Sequence, residues 1–231
     1  MEYTVDSIFS IPIFITNIGK IDDSVIDFID QFDFNYNYEK NEDVVIERGS
    51  RFVSNTENLL FYKELQHLKN QINKACSLFM YKELDYTFET DFKISNSWAV
   101  KIPQGNCAGI HFHSNSLYSG VVYLRVTEED SITFFRNLNN EIFNEHPILL
   151  YHLETNKTNN NKFNSDNWTF FPNEGDVFLF PSNVPHRVNE NVSPSLRYSL
   201  AFNIVPTNKI NSNPARVIHY MENTETIKAF Q

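Results

Sequence analysis

The sequence has few cysteines, few basic residues and no long apolar stretch. Its two cysteines, Cys76 and Cys107, form no Cys-x-x-Cys pair, which argues against a disulfide framework or a cysteine zinc site. No apolar run approaches the length of a membrane span, and the first residues lack the basic segment of a secretory signal peptide. We therefore expect a cytoplasmic protein with reduced thiols and no membrane partner.

Basic charge is scarce as well. The 19 Lys and Arg residues face 29 Asp and Glu residues, for a formal net charge of −10. Binding to duplex nucleic acid needs a concentrated Lys/Arg face, so no nucleic-acid partner is indicated. Hydrophobic residues make up 41% of the chain and aromatic residues 15%, which supplies a large core and excludes a disordered chain. A length of 231 residues fits one β-rich domain, and we expect a single domain over residues 1–231.

Residues 1–85 predict one strand and two helices. The strand is β-branched and aromatic, and apolar residues recur at helical spacing in the two segments after it. Asp22 and Asp23 each suit the N-cap of the first helix. The predicted elements are a strand over 8–15, a helix from Asp22 or Asp23 to Phe32 and a longer amphipathic helix over 59–79.

Residues 86–204 change to short strands separated by Gly, Pro, Asn and Ser. This texture predicts a mainly β fold with N-terminal helices packed on a double-sheet jelly roll, a cupin-like barrel, with residues 205–231 as a tail. The stretch from Arg136 to Pro172 is long, and its polar part, Thr155 to Asn167, predicts a lid or a surface insertion. Strands are predicted over 86–90, 94–102, 117–126, 132–135, 168–171, 176–180 and 197–204.

Three histidines form a candidate metal site. His111 and His113 stand at i and i+2, which places both imidazoles on the same face of an extended chain. His186 follows an apolar strand and a loop that Ser182 and Pro185 shape, and a barrel can bring this loop to the first pair. Imidazole binds iron, zinc, copper and nickel, so the ligand set alone does not choose the metal.

A His-x-His pair by itself is more often a surface or core pair than a metal site. The residues after His186 strengthen the case for a site. Arg197 and Ser199 open the next strand at i and i+2, so that a guanidinium and a hydroxyl project to one face. This pair suits the binding of a carboxylate, and a buried arginine without an anionic partner would be energetically expensive.

In combination these motifs resemble the 2-oxoglutarate and Fe(II)-dependent oxygenase superfamily. The resemblance rests on His-x-His, on the segment Ser119–Leu124, on Gly-x-x-x-x-Phe-Pro-Ser before His186, and on Arg197-x-Ser199. It is closest to a branch found in bacteria and tailed phages, which would place the protein in a host cytoplasm. The resemblance implies a double-stranded β-helix with the metal and 2-oxoglutarate inside the barrel mouth.

The resemblance also implies roles for single residues. His111 and His186 match metal ligands of the superfamily, Arg197 matches the arginine that pairs with the distal carboxylate of 2-oxoglutarate, and Ser199 lies beside it. Tyr123 matches a tyrosine that hydrogen-bonds the same carboxylate, although a barrel-interior aromatic is an equal reading. Most members carry Asp or Glu two residues after the first histidine, whereas this chain has His113, which leaves more positive charge on the metal. We keep all three histidines as ligands.

The implied activity is that of a dioxygenase that uses Fe(II), O2 and 2-oxoglutarate. It couples the oxidative decarboxylation of 2-oxoglutarate to the oxidation of a substrate, with hydroxylation as the expected outcome and a protein side chain such as proline as the substrate by analogy. Asn96 and Trp98, on the strand before the histidine pair, are candidates for the substrate pocket, and Trp98 also fits a plain core position.

Two alternatives belong to other classes. A cupin-like metalloenzyme without 2-oxoglutarate would use three histidines as a matter of course, but Arg197-x-Ser199 speaks against it. A non-catalytic jelly-roll binding or structural module would leave the histidines without a shared purpose. Asp176 follows a glycine and is expected to serve a turn. The remaining histidines receive no role, namely His67, His146, His152 and His219.

Overall fold

The structure is a computed structural model that describes residues 2–4, 10–38, 50–88, 90–136, 161–207 and 226–227. None of the helices within these ranges is long and apolar enough to cross a membrane. The helices are α1 (Asp23–Ile29) and α2 (Gln66–Ser77), with 3-10 turns at Leu59–Phe61 and Lys63–Leu65 before α2 and a π-helical stretch at Leu78–Glu83 after it. The strands are β1 (Phe14–Asn17), β2 (Phe34–Tyr38), β3 (Ser50–Ser54), β4 (Phe92–Ile102), β5 (Ala108–His111), β6 (Tyr118–Arg125), β7 (Ile132–Phe135), β8 (Asn167–Phe170), β9 (Asp176–Pro181), β10 (His186–Val188), β11 (Arg197–Pro206) and β12 (Thr226–Ile227).

These strands form two antiparallel sheets. The large sheet has the order β1-β9-β6-β11-β4-β3-β2, with β12 paired to β4, and the small sheet has the order β5-β10-β7-β8. Apart from β7 and β8, which pair with each other in the small sheet, consecutive strands from β4 to β11 alternate between the two sheets. This is the arrangement of a double-stranded β-helix. The predicted fold class is confirmed.

Period-2 alternation along the large sheet separates two apolar cores. On β6, Val122 and Leu124 belong to the core that includes α2, whereas Tyr123 belongs to a second core with Phe178 and Phe180. Successive side chains of a strand point to opposite faces, so one face of the large sheet is covered by the helices and the other faces the small sheet. The second core therefore lies between the two sheets, on the face opposite the helices.

The N-terminal helix is confirmed at its start. The Asp22 side chain accepts a hydrogen bond from the Ser24 amide at 2.8 Å, as an N-cap does. The first strand runs over Phe14–Asn17, later than the predicted range of 8–15, of which residues 8–9 lie outside the described part of the chain. Pro12 has no N–H for a sheet ladder, and pairing with β9 starts only beyond it.

The second helix is confirmed in outline but not in its first turns. The segment starts with two 3-10 turns rather than a regular α-helix, because the Leu60 amide donates to the Ser97 hydroxyl at 2.9 Å instead of to a carbonyl one turn back. This bond ties the start of the helical layer to strand β4. Leu68, Ile72 and Phe79 then bury the predicted apolar face against the large sheet.

The prediction of a strand over residues 86–90 is wrong. None of the residues described there is in a strand, and the Thr90 amide closes a turn onto the Thr87 carbonyl at 2.9 Å. The ring of Tyr86 instead packs against the core that includes α2, which we call the helix-side core. Its hydroxyl oxygen lies 2.7 Å from that of Tyr118. The prediction also omitted five short strands that the structure contains, β2, β3, β5, β10 and β12.

The long excursion after β7 is described only at its ends. The Arg136 amide donates to the Asp166 carbonyl at 2.7 Å, which closes the two ends on each other. Residues 137–160 lie outside the described part of the chain, as do His146, His152 and His219. The predicted lid therefore stays a prediction.

Candidate metal centre

The small sheet brings the three histidines together. His186, the first residue of β10, pairs with His111 at the end of β5 and with Phe134 on β7. His113 lies just beyond β5, where its amide donates to the Ser182 carbonyl at 2.9 Å. The candidate ligand atoms of the three imidazoles all lie within 4.8 Å of one another. The sequence prediction that the two motifs meet is confirmed.

Hydrogen bonds at the back of each ring fix which nitrogen faces the site. The Nδ1 atom of His111 lies 2.7 Å from the Gly109 carbonyl, and that of His186 lies 3.0 Å from the Val184 carbonyl. A carbonyl oxygen only accepts, so both Nδ1 atoms carry the proton and both Nε2 lone pairs are left for a ligand. His113 has a side-chain partner instead, with its Nδ1 atom 2.7 Å from Oδ1 of Asn203.

The site favours neutral imidazoles. Burial lowers the pKa of His186 well below its ordinary value, and the neighbouring His111 lowers it further. Burial also lowers the pKa of His113, although the hydrogen bond to Asn203 works in the opposite direction. A metal ion binds the deprotonated imidazole, so these groups need not release a proton to bind a metal at neutral pH.

Aromatic rings surround the histidines and restrict their orientation. The centroid of Trp98 lies 5.7 Å from that of His113, and Phe180 and Phe134 lie 4.8 Å and 5.8 Å from His186. Packing of this kind limits rotation of the imidazoles and excludes water from the side facing the core. Three imidazole donors on a rigid frame fit a first-row transition metal such as iron.

A cavity of about 340 Å³ opens beside the three histidines. Trp98, Ser199 and Tyr123 line it. Asn96 is not among the described residues that line it, and its Oδ1 accepts a hydrogen bond from the Ser95 hydroxyl. The volume is within the range of pockets that hold a small molecule.

Tyr123, which lines the cavity, has an unsatisfied hydroxyl. Among the described residues it is the single buried side-chain nitrogen or oxygen without a hydrogen-bond partner. Burial raises the pKa of Tyr123, while the positive charge of Arg197 acts in the opposite direction. An unsatisfied buried hydroxyl costs about 1–3 kcal/mol, so a polar ligand that accepts from it would remove a real penalty. The residues present therefore fit an oxygen-bearing co-substrate.

Arg197 has an internal partner that the sequence interpretation did not anticipate. Its Nη1 donates to Asp130 at 2.8 Å and its Nη2 to the Asn189 carbonyl at 3.0 Å, and both charged side chains are 2% exposed or less. Arg197 is not among the described residues that line the cavity. Asp130 thus supplies the anionic partner that a buried arginine requires. The burial of Arg197 is therefore not in itself evidence for a bound carboxylate ligand.

Two further residues of the site escaped the sequence analysis. Asn203 lies on β11 with the same parity as Arg197 and Ser199, so the alternation that singled out the first two could have found the third. Arg51 on β3 also lines the cavity, and its charge lowers the pKa of His113 and His186. No local signal marked Arg51, because the strand that carries it was not predicted.

Comparison with known families identifies the class of protein. Residues 96–203, which contain all three histidines, match the model of the family described as "Putative 2OG-Fe(II) oxygenase". The matched segment, which carries the candidate metal centre, is thus that of a 2-oxoglutarate and Fe(II)-dependent oxygenase. The match decides against the cupin-like enzyme without 2-oxoglutarate and against the non-catalytic module. A comparison with curated proteins gives no match.

Solved structures share the fold. SnoN, a non-haem α-ketoglutarate-dependent epimerase from nogalamycin biosynthesis, is 9% identical with a TM-score of 0.58, over 94% of each chain. A prolyl hydroxylase from Trichoplax adhaerens, in complex with a hypoxia inducible factor peptide, is 12% identical with a TM-score of 0.55, over 84% of this chain and 83% of its own. A Pseudomonas putida prolyl-4-hydroxylase is 14% identical with a TM-score of 0.51, over 84% and 93%. At these identities the likeness concerns the fold.

Proposed function

We propose that this oxygenase is a hydroxylase that holds Fe(II) through His111, His113 and His186. The observation that supports this ligand set most strongly is the orientation of the rings. Each Nδ1 atom lies against an oxygen acceptor, at 2.7 Å, 2.7 Å and 3.0 Å, so three Nε2 atoms converge on one point beside the cavity. Fe(II) held there, with 2-oxoglutarate as co-substrate, supplies the oxygen chemistry, while the protein orients the reactants and excludes water.

The distal carboxylate of 2-oxoglutarate binds, in this proposal, at Tyr123 and Ser199. Both side chains line the cavity, and the Tyr123 hydroxyl has a donor to offer. Arg197 supplies positive charge from behind them. Asp130 and Asn189 accept hydrogen bonds from two of its nitrogens, and Arg197 is not among the described residues that line the cavity. Its contribution to the ligand carboxylate is therefore its charge and not a direct hydrogen bond.

Replacing Tyr123 by Phe is expected to weaken 2-oxoglutarate binding without destabilising the fold. The variant removes a hydroxyl that has no hydrogen-bond partner among the described residues, so the free energy of unfolding should stay the same or rise. A hydrogen bond to a charged group contributes about 1.5–3 kcal/mol, which corresponds to a loss of affinity of roughly tenfold to more than a hundredfold. Calorimetric titration of the Fe(II)-loaded variant under argon measures this loss.

Tyr118→Phe is the matched control on the same strand. Its hydroxyl pairs with that of Tyr86 in the helix-side core, away from the cavity. This variant should lower the free energy of unfolding by about 0.5–1.5 kcal/mol and leave 2-oxoglutarate affinity unchanged. Equal 2-oxoglutarate affinity in wild type and Tyr123→Phe would remove Tyr123 from the co-substrate site.

The substrate, we infer, is a peptidyl side chain such as proline with an anionic group nearby. Trp98 offers the cavity an apolar face, and Arg51 offers it a permanent positive charge. Of the described residues that line the cavity, none is Asp or Glu. A charged rim of one sign favours a partner of the opposite sign. The Trichoplax adhaerens relative in complex with a peptide gives the peptidyl part of the proposal a precedent in the fold.

Proline peptides that differ only in a free carboxylate or an amide at the C-terminus test this substrate class. We expect the acid to stimulate succinate formation from 2-oxoglutarate more than the amide, with a gain of one oxygen atom in the peptide by mass spectrometry. Arg51→Gln should abolish the preference for the acid, because a neutral side chain no longer attracts the carboxylate. An unchanged preference in Arg51→Gln would exclude Arg51 as the determinant, and no oxidation of either peptide would contradict the prolyl substrate.

The proposal places this chemistry in a cytoplasm, that of a host cell if a phage carries the gene. Neither Cys76, which is buried, nor Cys107, which is partly buried, forms a disulfide in the structure. Burial raises the pKa of the Cys76 thiol, which keeps it protonated and unreactive. Free, unreactive thiols are typical of a reducing compartment.

A further inference from the structure

His113 differs from the other two histidines in the group that holds it. His111 and His186 donate to backbone carbonyls within their own strand or loop, whereas His113 faces the side chain of Asn203, 90 residues away in sequence. Asn203 is 8% exposed and lies opposite Ser119 in the pairing of β11 with β6. An amide has both a donor and an acceptor end, so its orientation decides which nitrogen of His113 carries the proton.

A chain of buried hydroxyls behind Asn203 settles that orientation. Ser116 donates to Ser182 at 2.8 Å, Ser182 and Ser119 lie 2.8 Å apart, and Ser119 donates to Oδ1 of Asn203 at 2.9 Å. Each hydroxyl has one proton. When every proton points the same way along the chain, each hydroxyl donates once, and the last donation ends on the amide oxygen of Asn203.

The reverse orientation does not satisfy the network. If the amide of Asn203 turned its nitrogen toward Ser119, that nitrogen would also lie 2.7 Å from Nδ1 of His113 and would donate to the single lone pair there. Although Ser119 lies 3.0 Å from the same Nδ1 atom, its proton would find that lone pair taken and would have to point at Ser182. Ser182 would then accept from two hydroxyls and have no acceptor in the network for its own proton. Ser182 is 1% exposed and Ser119 is fully buried, so an unused donor there would carry a desolvation cost.

The amide oxygen therefore faces His113 and requires a proton on Nδ1. The same Nδ1 atom lies 3.0 Å from the Ser119 hydroxyl oxygen, which is a second acceptor for this proton. With Nδ1 protonated, Nε2 has a lone pair that points toward the other two imidazoles. Most members of the superfamily carry a carboxylate at this position, and a carboxylate binds a metal without any choice of tautomer. This chain has a histidine there, and only one of its two neutral tautomers leaves Nε2 able to bind a metal.

We infer that Asn203, oriented by the hydroxyl chain of Ser116, Ser182 and Ser119, is a positioning residue that selects the metal-binding tautomer of His113. The chain also joins the segment after β5 to the loop that carries His186, so the same hydrogen bonds hold the two histidine segments in register. The inference rests on the proposed ligand set, and it concerns a residue that the metal itself does not contact.

The tautomer can be measured directly in the full-length chain. Long-range proton–nitrogen NMR of protein containing 15N-histidine distinguishes the Nδ1–H and Nε2–H forms, and the His113→Gln spectrum assigns the signal. We expect His113 to be in the Nδ1–H form in the metal-free protein, and to keep that proton when Zn(II), a diamagnetic probe, is bound. An Nε2–H form or a doubly protonated ring at neutral pH in the wild type would overturn the inference, and this measurement needs no folded variant of Asn203.

Two substitutions at position 203 separate a positioning role from a packing role. Asn203→Asp has only acceptors and should keep the Nδ1–H form and Co(II) affinity within a few-fold of wild type. Asn203→Leu has a similar volume but no acceptor, and it should give a mixture of tautomers and weaken Co(II) binding by roughly 10–100-fold, with altered visible absorption of the bound ion. Equal behaviour of the two variants would overturn the inference.

The outcome is distinct from that of the proposed function. A protein that binds Fe(II) and 2-oxoglutarate but shows the Nε2–H form of His113 would retain the proposed function and lose this inference. A protein with the Nδ1–H form that binds no 2-oxoglutarate would do the opposite.

Discussion

Replacing His186 by alanine is expected to abolish metal binding at the site. His186 is 4% exposed, pairs with His111 across the small sheet and is one of three ligands. Changes to residues that only orient a ligand cost about 10–100-fold in metal affinity, so loss of the ligand itself should exceed that range. Iron content after anaerobic loading with Fe(II), measured per chain, gives the result.

His186→Phe serves as the second variant because it restores the lost volume without a ligand nitrogen. Its ring can occupy the position between Phe134 and Phe180, so the fold should be retained while the metal is lost. His67→Ala is the matched control, since His67 is an exposed residue of α2 outside the cluster. Near-stoichiometric iron in both His186 variants would rule out the proposed centre.

Replacing Arg197 by methionine is expected to destabilise the fold by about 3–5 kcal/mol. The variant leaves the Asp130 carboxylate 2% exposed and without its counter-ion. A buried charge without a partner is among the most costly defects in a protein interior. Urea unfolding, compared with wild type at the same pH, measures the change.

The double variant Arg197→Met with Asp130→Asn should recover much of the lost stability. In the wild type, the Thr127 amide donates to Oδ2 of Asp130 at 2.8 Å. Asparagine keeps an acceptor for this amide but has no charge that would be left buried without a counter-ion. A loss below about 1 kcal/mol in the single variant, the size typical of exposed pairs, would show that this ion pair is not buried in solution. Because Arg197 stabilises the fold, its substitution alone cannot assign a role in 2-oxoglutarate binding, and Tyr123→Phe is the cleaner probe.

The sequence predicted the long strands and missed several of the short ones. Strands β4, β6, β9 and β11 have enough alternating residues to show their period, and the structure places them close to the predicted bounds. The short strands β5 and β10 hold four and three residues, too few for a period, and they exist because they pair with each other and with β7. Tertiary pairing, rather than local propensity, makes them strands.

The segment Phe34–Tyr38 is a different case. Aromatic residues alternate with Asn, which is the period of a strand, but asparagine has a low strand propensity and no strand is predicted there. It pairs with β3 across residues 39–49, and no residue pattern in either strand indicates this pairing. The omission had a consequence for the site, since β3 carries Arg51.

The candidate site was predictable where a motif carried the chemistry. The spacing of His111, His113 and His186 and the parity of Arg197 and Ser199 are local properties, and the structure brings the three histidines together as expected. The partners of these residues were not predictable. Asp130 lies 67 residues from Arg197 and Asn203 lies 90 residues from His113, and only the strand register sets those contacts.

Anaerobic titration of the full chain with Fe(II) and then with 2-oxoglutarate tests the central claim most directly. If the three histidines hold Fe(II) and 2-oxoglutarate coordinates it in the adjoining cavity, one equivalent of each should bind and a weak visible charge-transfer band should develop in step with 2-oxoglutarate. The band should be absent from His186→Phe and should need more 2-oxoglutarate in Tyr123→Phe. Binding of 2-oxoglutarate without such a band, or with equal affinity in the absence of metal, would contradict a co-substrate site at the three histidines.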